Sequence, residues 1–121
     1  MVLIDTSVWI NHFHKSNSSL VDLLLENRVQ IHPMVVGELA CGSLRQRHEI
    51  LPLLQMLPLA EPVSNAELLH FIESRQLFGQ GIGWIDANLL ASCVLSQSVL
   101  WTSDKSLLKC AQTLEVSHRQ R

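Results

Sequence analysis

The chain has 121 residues, of which 47% are hydrophobic and 17% are charged, and its formal net charge is −2. This length predicts a single domain over residues 1–121, and the composition excludes intrinsic disorder. The charge excludes a protein whose affinity depends on a broad basic surface, but it is compatible with a nucleic-acid enzyme that uses a few local cations. Such cations are available at Lys15, Arg45, Arg47, Lys105 and Lys109.

Short apolar runs alternate with helical patterns along the chain, which is typical of a parallel sheet flanked by helices. We predict strands near residues 2–4, 29–31, 59–63 and 98–102, with a candidate fifth strand at 115–117. The predicted helices cover residues 6–14, 18–26, 33–42, 45–57, 64–77, 84–95 and 105–114. The fold class is therefore α/β, with helices on the faces of a mostly parallel sheet.

Several helix ends carry local signals in the sequence. A serine cap is predicted at Ser18 or Ser19, and Pro33 marks the start of the third helix. Gly42 is predicted to stop that helix, and Ser64 with its partner three residues later forms a capping box. These signals fix helix ends more firmly than apolar periodicity does.

The three cysteines are Cys41, Cys93 and Cys110, and they show no C-x-x-C spacing. Their odd number and apolar surroundings predict reduced core thiols in a cytoplasmic protein. The amino terminus lacks the pattern of a signal peptide, and no window of the sequence has the length and composition of a membrane span.

Four carboxylates lie within apolar stretches, where a charge is costly: Asp5, Glu38, Asp86 and Asp104. Asp5 and Asp104 follow predicted strands, whose carboxyl ends share one edge of an open parallel sheet. Asp86 lies in the first turn of a helix that is apolar on nearly every side and is therefore predicted to be buried. The expected positions of these acids bring them to one end of the sheet.

Taken singly, each acid has a simpler explanation. Asp5 and Asp104 could cap the helices that follow them, with Ser103 competing for the second cap. Asp86 could interact with the helix dipole. Glu38 has no cationic or donor side chain three or four positions away, so an unpaired charge there would attract a counter-charge.

Taken together, the four acids predict one metal site. Two carboxylates about 4 Å apart repel by roughly 4 kcal/mol at an effective dielectric near 20, and a divalent cation reverses the sign of that interaction. Hard oxygen ligands favour Mg²⁺ or Mn²⁺ over zinc. The six histidines show no paired ligand spacing, so we interpret them as ordinary surface or core residues.

With these acids in place, the chain resembles the PIN-domain nucleases, and most closely the VapC toxins of toxin–antitoxin modules. The resemblance spans nearly the whole chain, and Asn88 is the position that departs from the family's pattern. It rests on residues 2–10 (VLIDTSVWI), 31–33 (IHP), 36–40 (VGELA), 79–92 (GQGIGWIDANLLAS) and 100–105 (LWTSDK).

The resemblance implies a PIN-like three-layer α/β/α fold with a twisted sheet of four to five strands. It also implies a nuclease centre in which Asp5, Glu38, Asp86 and Asp104 are the catalytic and metal-binding acids. Asp5 and Asp86 would be the principal ligands. Thr6 and Thr102 would give polar support.

The resemblance further implies an activity and partners. The chain would hydrolyse RNA phosphodiester bonds with one or two Mg²⁺ or Mn²⁺ ions and would be the toxin of a type II module. Its partners would be RNA, a cognate antitoxin and a second copy of the chain in a homodimer. DNA would be contacted only through the antitoxin, and no membrane would be involved.

Two other interpretations stay open at this point. One is a metal-dependent phosphatase or phosphoacceptor domain with Asp5 as the phosphorylated group. Haloacid-dehalogenase phosphatases require a second aspartate two residues later, where this chain has Ser7. The other is a non-catalytic binding module whose acids are helix caps and solvated charges.

Overall fold

The computed structural model describes residues 1–119. These residues form three strands and seven helices. In chain order they are β1 (Val2–Ile4), α1 (Thr6–His14), α2 (Ser18–Leu25), β2 (Val29–Gln30), α3 (Pro33–Cys41), α4 (Arg47–Gln55), α5 (Asn65–Ser74), α6 (Trp84–Ser96), β3 (Val99–Trp101) and α7 (Lys105–Thr113).

The three strands form one parallel sheet in the order β2-β1-β3. In its register, Val2 of the central strand pairs with both Val29 and Val99. Parallel neighbours require crossover connections, which the helices supply. The α/β class with helical layers on a parallel sheet is confirmed, and its strands are fewer than the four to five predicted.

The predicted strand at 59–63 is wrong beyond its first residue. Leu59 makes a single parallel bridge with Ile31, at the outer edge of β2. Pro62 then has no N–H with which to continue a ladder of hydrogen bonds. The segment therefore extends the sheet by one bridge only.

The predicted strand at 115–117 is also reduced to one bridge, between Ser117 and Leu100. Glu115 has a φ of 60°, which is left-handed and not extended. The chain thus reaches β3 only after a turn. The predicted strands at 29–31 and 98–102 are confirmed in position, although β2 and β3 are shorter.

The centre of the core is β1, in which Val2, Leu3 and Ile4 are fully buried. A strand covered on both faces is expected to be a continuous apolar run, as this one is. Helix α6 packs against β3 and is buried over residues 87–93. Its burial is therefore confirmed for the middle of the helix, whereas Trp84 and Leu95 at its ends are exposed.

Most of the helix ends predicted from local sequence signals are confirmed. Pro33 begins α3, Gly42 caps its end, and Ser64 forms the predicted capping box at α5. The serine cap was wrong, because the N-cap of α2 is Asn17, whose side chain accepts a hydrogen bond from the Leu20 N–H at 3.1 Å. Because the N-cap of α4 is left-handed, with a φ of 54°, that helix starts later than predicted.

All three cysteines are free, and two of them are buried as predicted. Burial raises the pKa of the Cys93 thiol to about 12. The prediction is wrong for Cys41, which lies on the same exposed face of α3 as Gly37 and Glu38. Within residues 1–119, no helix has both the length and the apolar character needed to cross a bilayer.

Candidate active site

Asp5 and Thr102 lie side by side at the carboxyl edge of the sheet. Asp5 follows β1, Thr102 follows β3, and the Asp5 N–H donates to the carbonyl of Trp101 at 2.9 Å. Both side chains are buried, and the Thr102 hydroxyl donates to Oδ2 of Asp5 at 2.7 Å. The shared edge of parallel strands therefore brings together two residues that are 97 positions apart.

The carboxylate of Asp5 accepts three hydrogen bonds. The Thr6 N–H donates to Oδ1 at 2.7 Å, and the Ser7 hydroxyl donates to Oδ2 at 2.9 Å beside that of Thr102. An ionised carboxylate that is removed from water is costly unless donors replace its hydration. These three donors compensate for the burial of Asp5 and fix the orientation of its carboxylate.

Ser7 connects Asp5 to the loop after β3, and the sequence-based prediction missed this residue. Its hydroxyl accepts a hydrogen bond from the Ser103 N–H at 3.2 Å while it donates to Asp5. Thr102 has the same double role, because its hydroxyl accepts from the Asp104 N–H at 3.0 Å. The only sequence signal for Ser7 was its position two residues after a strand-ending aspartate.

Asp104 is exposed and caps α7. Its Oδ1 accepts a hydrogen bond from the Leu107 N–H at 2.9 Å, so the capping role considered for it is confirmed and Ser103 is not the cap. The two hydroxyl contacts of the preceding loop hold this residue beside Asp5. A helix cap and a place near the buried acid are therefore compatible.

Glu38 reaches the site through Thr6. The buried Thr6 hydroxyl donates to Oε1 of Glu38 at 2.7 Å, which joins α1 to α3 across 32 positions of sequence. Glu38 itself is exposed, so the prediction that it lies in an apolar environment is wrong. Its apolar neighbours in sequence, Val35 and Leu39, are buried on another side of the same helix.

Asp86 lies in the first turn of α6 and is half-buried. Its Oδ2 accepts a long hydrogen bond of 3.4 Å from the Gly83 N–H. Burial raises the pKa of Asp86, the hydrogen bond from Gly83 lowers it, and the negative charges of Asp5, Asp104 and Glu38 raise it further. The charges of the other three acids therefore act on Asp86.

Beneath the acids, His32 joins α3 to α6. Its Nδ1 accepts the Met34 N–H at 3.1 Å, so Nε2 carries the hydrogen and donates to Ser92 at 3.1 Å. Burial lowers the pKa of His32, in keeping with this neutral form. The interpretation of His32 as a core residue is confirmed, and its contact fixes the helices that carry Glu38 and Asp86.

The carboxylate oxygens of the four acids are suitable ligands for a hard divalent cation. No hydrogen bond from residues 1–119 reaches Oε2 of Glu38, Oδ1 of Asp86 or Oδ2 of Asp104. Carboxylate oxygens of this kind are the ligands that Mg²⁺ and Mn²⁺ prefer. In the same part of the chain, however, no three His, Cys, Asp or Glu side chains are arranged so that they could hold an ion, and the metal site stays a prediction.

Comparisons with known proteins agree with this architecture. The model of the PIN domain family matches residues 2–112. The chain is 44% identical over 115 residues to "Ribonuclease VapC32" from two Mycobacterium tuberculosis strains, CDC 1551 / Oshkosh and ATCC 25618 / H37Rv, and the match covers 93% of this chain and 93% of each relative.

Among solved structures, the crystal structure of PAE2754 from Pyrobaculum aerophilum is similar, with a TM-score of 0.62. The match covers 93% of this chain and 85% of that one, and its 18% sequence identity bears on the fold alone. The family model and the identity to VapC32 go further. This chain belongs to the PIN-domain family, as a VapC-type member.

Proposed function

We propose that this protein is a Mg²⁺- or Mn²⁺-dependent ribonuclease that hydrolyses RNA phosphodiester bonds. The observation that supports the proposal is that Asp86 lies close enough to Asp5, Asp104 and Glu38 for their negative charges to raise its pKa. None of the four forms an ion pair with a cationic side chain within residues 1–119. A group of carboxylates without cationic partners favours the binding of an external cation. The name of the relative, Ribonuclease VapC32, supports RNA as the substrate.

In this proposal all four acids would contribute to binding the cation. Asp5 and Asp86 are the principal ligands, and Glu38 and Asp104 complete the shell directly or through water. When bound, the ion supplies a lowered pKa for the attacking water and charge compensation at the scissile phosphate. The chain's own contribution is to keep these oxygens at fixed positions.

The polar neighbours provide that fixation. Thr102 and Ser7 hold Oδ2 of Asp5 from two sides, which leaves Oδ1 with only the Thr6 N–H and one free lone pair. Thr6 holds Asp5 through its backbone N–H and orients Glu38 through its side-chain hydroxyl. The proposed centre is therefore organised most firmly around Asp5.

The proposal is tested by digestion of RNA with Mn²⁺ or Mg²⁺ and with a chelator. We expect cleavage by the wild type that the chelator abolishes, and its loss in Asp5→Asn and Asp86→Asn. Asp22→Asn is the matched control, since it changes an exposed acid on α2. Equal metal-dependent cleavage by either site variant and the control would overturn the assignment.

The same proposal includes partners. We propose that the chain is the toxin of a type II module and acts in the cytoplasm. It would form a homodimer of single-domain subunits and would contact DNA only through its antitoxin. Next to α1 lies an apolar groove of about 280 Å³, lined in part by Ile10, Phe13, Leu39 and Leu44, that suits an apolar antitoxin segment. Burial of these side chains would provide affinity.

Co-expression with the neighbouring open reading frame tests the partner. We expect relief of toxicity and co-purification, which Ile10→Asp weakens and Leu69→Asp on α5 leaves unchanged, because both residues are exposed but only Ile10 lines the groove. Persistent toxicity beside a soluble partner would contradict the antitoxin proposal. Sedimentation of the chain as a monomer would contradict the homodimer.

The phosphatase alternative has less support at Asp5. Both of its oxygens accept hydrogen bonds, and Oδ2 accepts two of them from hydroxyl groups. Ser7 also stands where haloacid-dehalogenase phosphatases require their second aspartate, and its hydroxyl is engaged with Asp5, so no carboxylic acid is available at that position. Failure to trap an aspartyl-phosphate analogue on the wild type is the expected result.

A further inference from the structure

The exposed aromatic side chains of this protein are concentrated in one segment. The chain has three Trp and three Phe residues. Trp9 and Trp101 are 2% and 3% exposed, and Phe13 and Phe71 pack partly buried against the core. Only Phe78 and Trp84, at 59% and 41%, are strongly exposed, and they stand at the two ends of residues 78–84.

This segment lies beside the acids. A Cβ atom added to Gly81 would lie 3.1 Å from the Ser106 hydroxyl, so the segment packs closely on the first turn of α7, directly after Asp104. At its other end, Trp84 begins α6 two positions before Asp86. Residues two positions apart on a helix point to nearly opposite sides, so the link to Asp86 is made by the backbone of the segment, where the Gly83 N–H donates to Oδ2 of Asp86 at 3.4 Å.

The backbone that carries the indole is anchored. The buried Asn88 side chain donates to the carbonyl of Trp84 at 2.9 Å, one turn further along α6. The ring itself makes none of the aromatic pairs found within residues 1–119. The backbone of Trp84 is therefore anchored, and its exposed ring lies at the end of α6 that also carries Asp86.

A single exposed aromatic residue is ordinary, but this pair adjoins a site in which acids outnumber Lys105, the cation that directly follows Asp104. The net charge of −2 and the acids themselves repel phosphates. Stacking of an unpaired base on an aromatic ring contributes affinity without cations, and each base has a π-face that can take part. RNA loops and single strands present such bases, whereas a duplex does not.

We propose that Trp84, with Phe78 in the same segment, forms a stacking platform for an unpaired base of the RNA next to the cleaved phosphodiester. This inference rests on the proposed function and makes single-stranded RNA the substrate class. Trp84 acts here as a binding and specificity residue and takes no part in the chemistry of the acids. The platform makes affinity depend on the bases and only weakly on salt.

For the wild type the test uses indole fluorescence, because Trp84 is the one exposed indole of the three and the two buried ones give a constant background. The Trp84 variants lack this reporter, so their affinities are compared with that of the wild type by the fluorescence anisotropy of a labelled oligoadenylate. A 12-residue oligoadenylate is titrated into the chelator-treated full chain. We expect quenching that is absent for a duplex and for an abasic oligomer of the same length. The variants are Trp84→Phe, which keeps a ring, and Trp84→Leu, which keeps apolar character without one.

We expect Trp84→Leu to weaken oligoadenylate binding about 10-fold and to raise KM by a similar factor at unchanged kcat, from the usual loss on removing one stacked base. Trp84→Phe should stay within about threefold of the wild type by the same reasoning. Leu69→Ala, at an equally exposed apolar site on α5, is the control. Its affinity should match that of the wild type.

The outcomes separate this inference from the proposed function. If the wild type cleaves RNA while Trp84→Leu binds and cleaves equally well, the platform is overturned and the nuclease stands. If the wild type binds oligoadenylate through Trp84 but cleaves no RNA, the proposed function fails. Unchanged RNA binding with an altered oligomeric state in sedimentation would make Trp84 a protein contact and overturn the platform.

Discussion

The two sides of the acidic edge are built differently. On the strand side, Asp5 is buried and accepts three hydrogen bonds of 2.7 to 2.9 Å. On the helix side, Asp86 is half-buried and accepts one hydrogen bond of 3.4 Å, and burial and neighbouring charge raise its pKa. The protein compensates the first charge with three donors, whereas the second has a single long hydrogen bond.

The largest expected effect is on cleavage, and it should be shared by both sides. Asp5→Asn and Asp86→Asn each remove a proposed principal ligand, so each should lower cleavage by more than the roughly 100-fold that outer-shell changes reach. Their stabilities should differ, since an asparagine in place of Asp5 would offer the three donors only one acceptor oxygen. Thermal unfolding of the chelator-treated variants checks this contrast. A lowered Tm for Asp86→Asn and an unchanged Tm for Asp5→Asn would reverse the comparison.

Ser7 tests whether the strand side is organised by its hydroxyls. Ser7→Ala should weaken Mn²⁺ binding and cleavage by about 10- to 100-fold, because Asp5 loses a donor and the Ser103 N–H loses its acceptor. Ser7→Thr keeps the hydroxyl and should restore most of both. Calorimetry with Mn²⁺ measures the affinity apart from turnover. If Ser7→Ala bound Mn²⁺ as tightly as Ser7→Thr and the wild type, Ser7 would have no role in organising the site.

The hydrogen bond between His32 and Ser92 is expected to affect stability most directly. Ser92→Ala leaves the His32 N–H buried without a partner, which should lower the free energy of unfolding by about 1 to 3 kcal/mol. His32→Leu should cost a comparable amount, and the double variant should cost less than the sum of the two. Urea denaturation provides these values. Strict additivity would mean that the two side chains do not interact.

The smallest effect concerns the charge of Asp86 in the metal-free protein. Its pKa in the folded state is raised above the ordinary value of 3.8, so ionisation is less favourable in the folded chain than in the unfolded one. The resulting loss of stability grows as pH rises from about 3.8 through the raised pKa and is complete at neutral pH. Asp86→Asn should therefore raise Tm at pH 7 and leave it nearly unchanged near pH 4. The opposite pH dependence would contradict the electrostatic account.

Thr102 was implied only by the family resemblance, whereas one topological rule predicts the positions of Asp5 and Asp104 from sequence. Each follows an apolar run, and the carboxyl ends of neighbouring parallel strands meet at one edge. The helix caps formed by Asp104 and Ser64 could also be predicted from sequence, since capping depends on neighbours within one turn. Local chemistry and strand order were enough for these features.

Other parts of the site could not be predicted, because they depend on side chains that meet across the fold. Thr6 with Glu38 and His32 with Ser92 join residues 32 and 60 positions apart, through rotamers that no local pattern specifies. Burial of Glu38 was inferred wrongly from its apolar neighbours. On a helix, an exposed residue can stand between buried ones because successive side chains point in different directions.

The most direct test of the central claim is calorimetric titration of Mn²⁺ into the chelator-treated protein. We predict uptake by the wild type and by the control Asp22→Asn, with affinity reduced by at least about 10-fold in Asp86→Asn as a proposed ligand is lost. Asp86→Asn is the better variant for this purpose because the stability of its fold is expected to be preserved. No uptake by the wild type, or equal uptake by Asp86→Asn, would contradict the account.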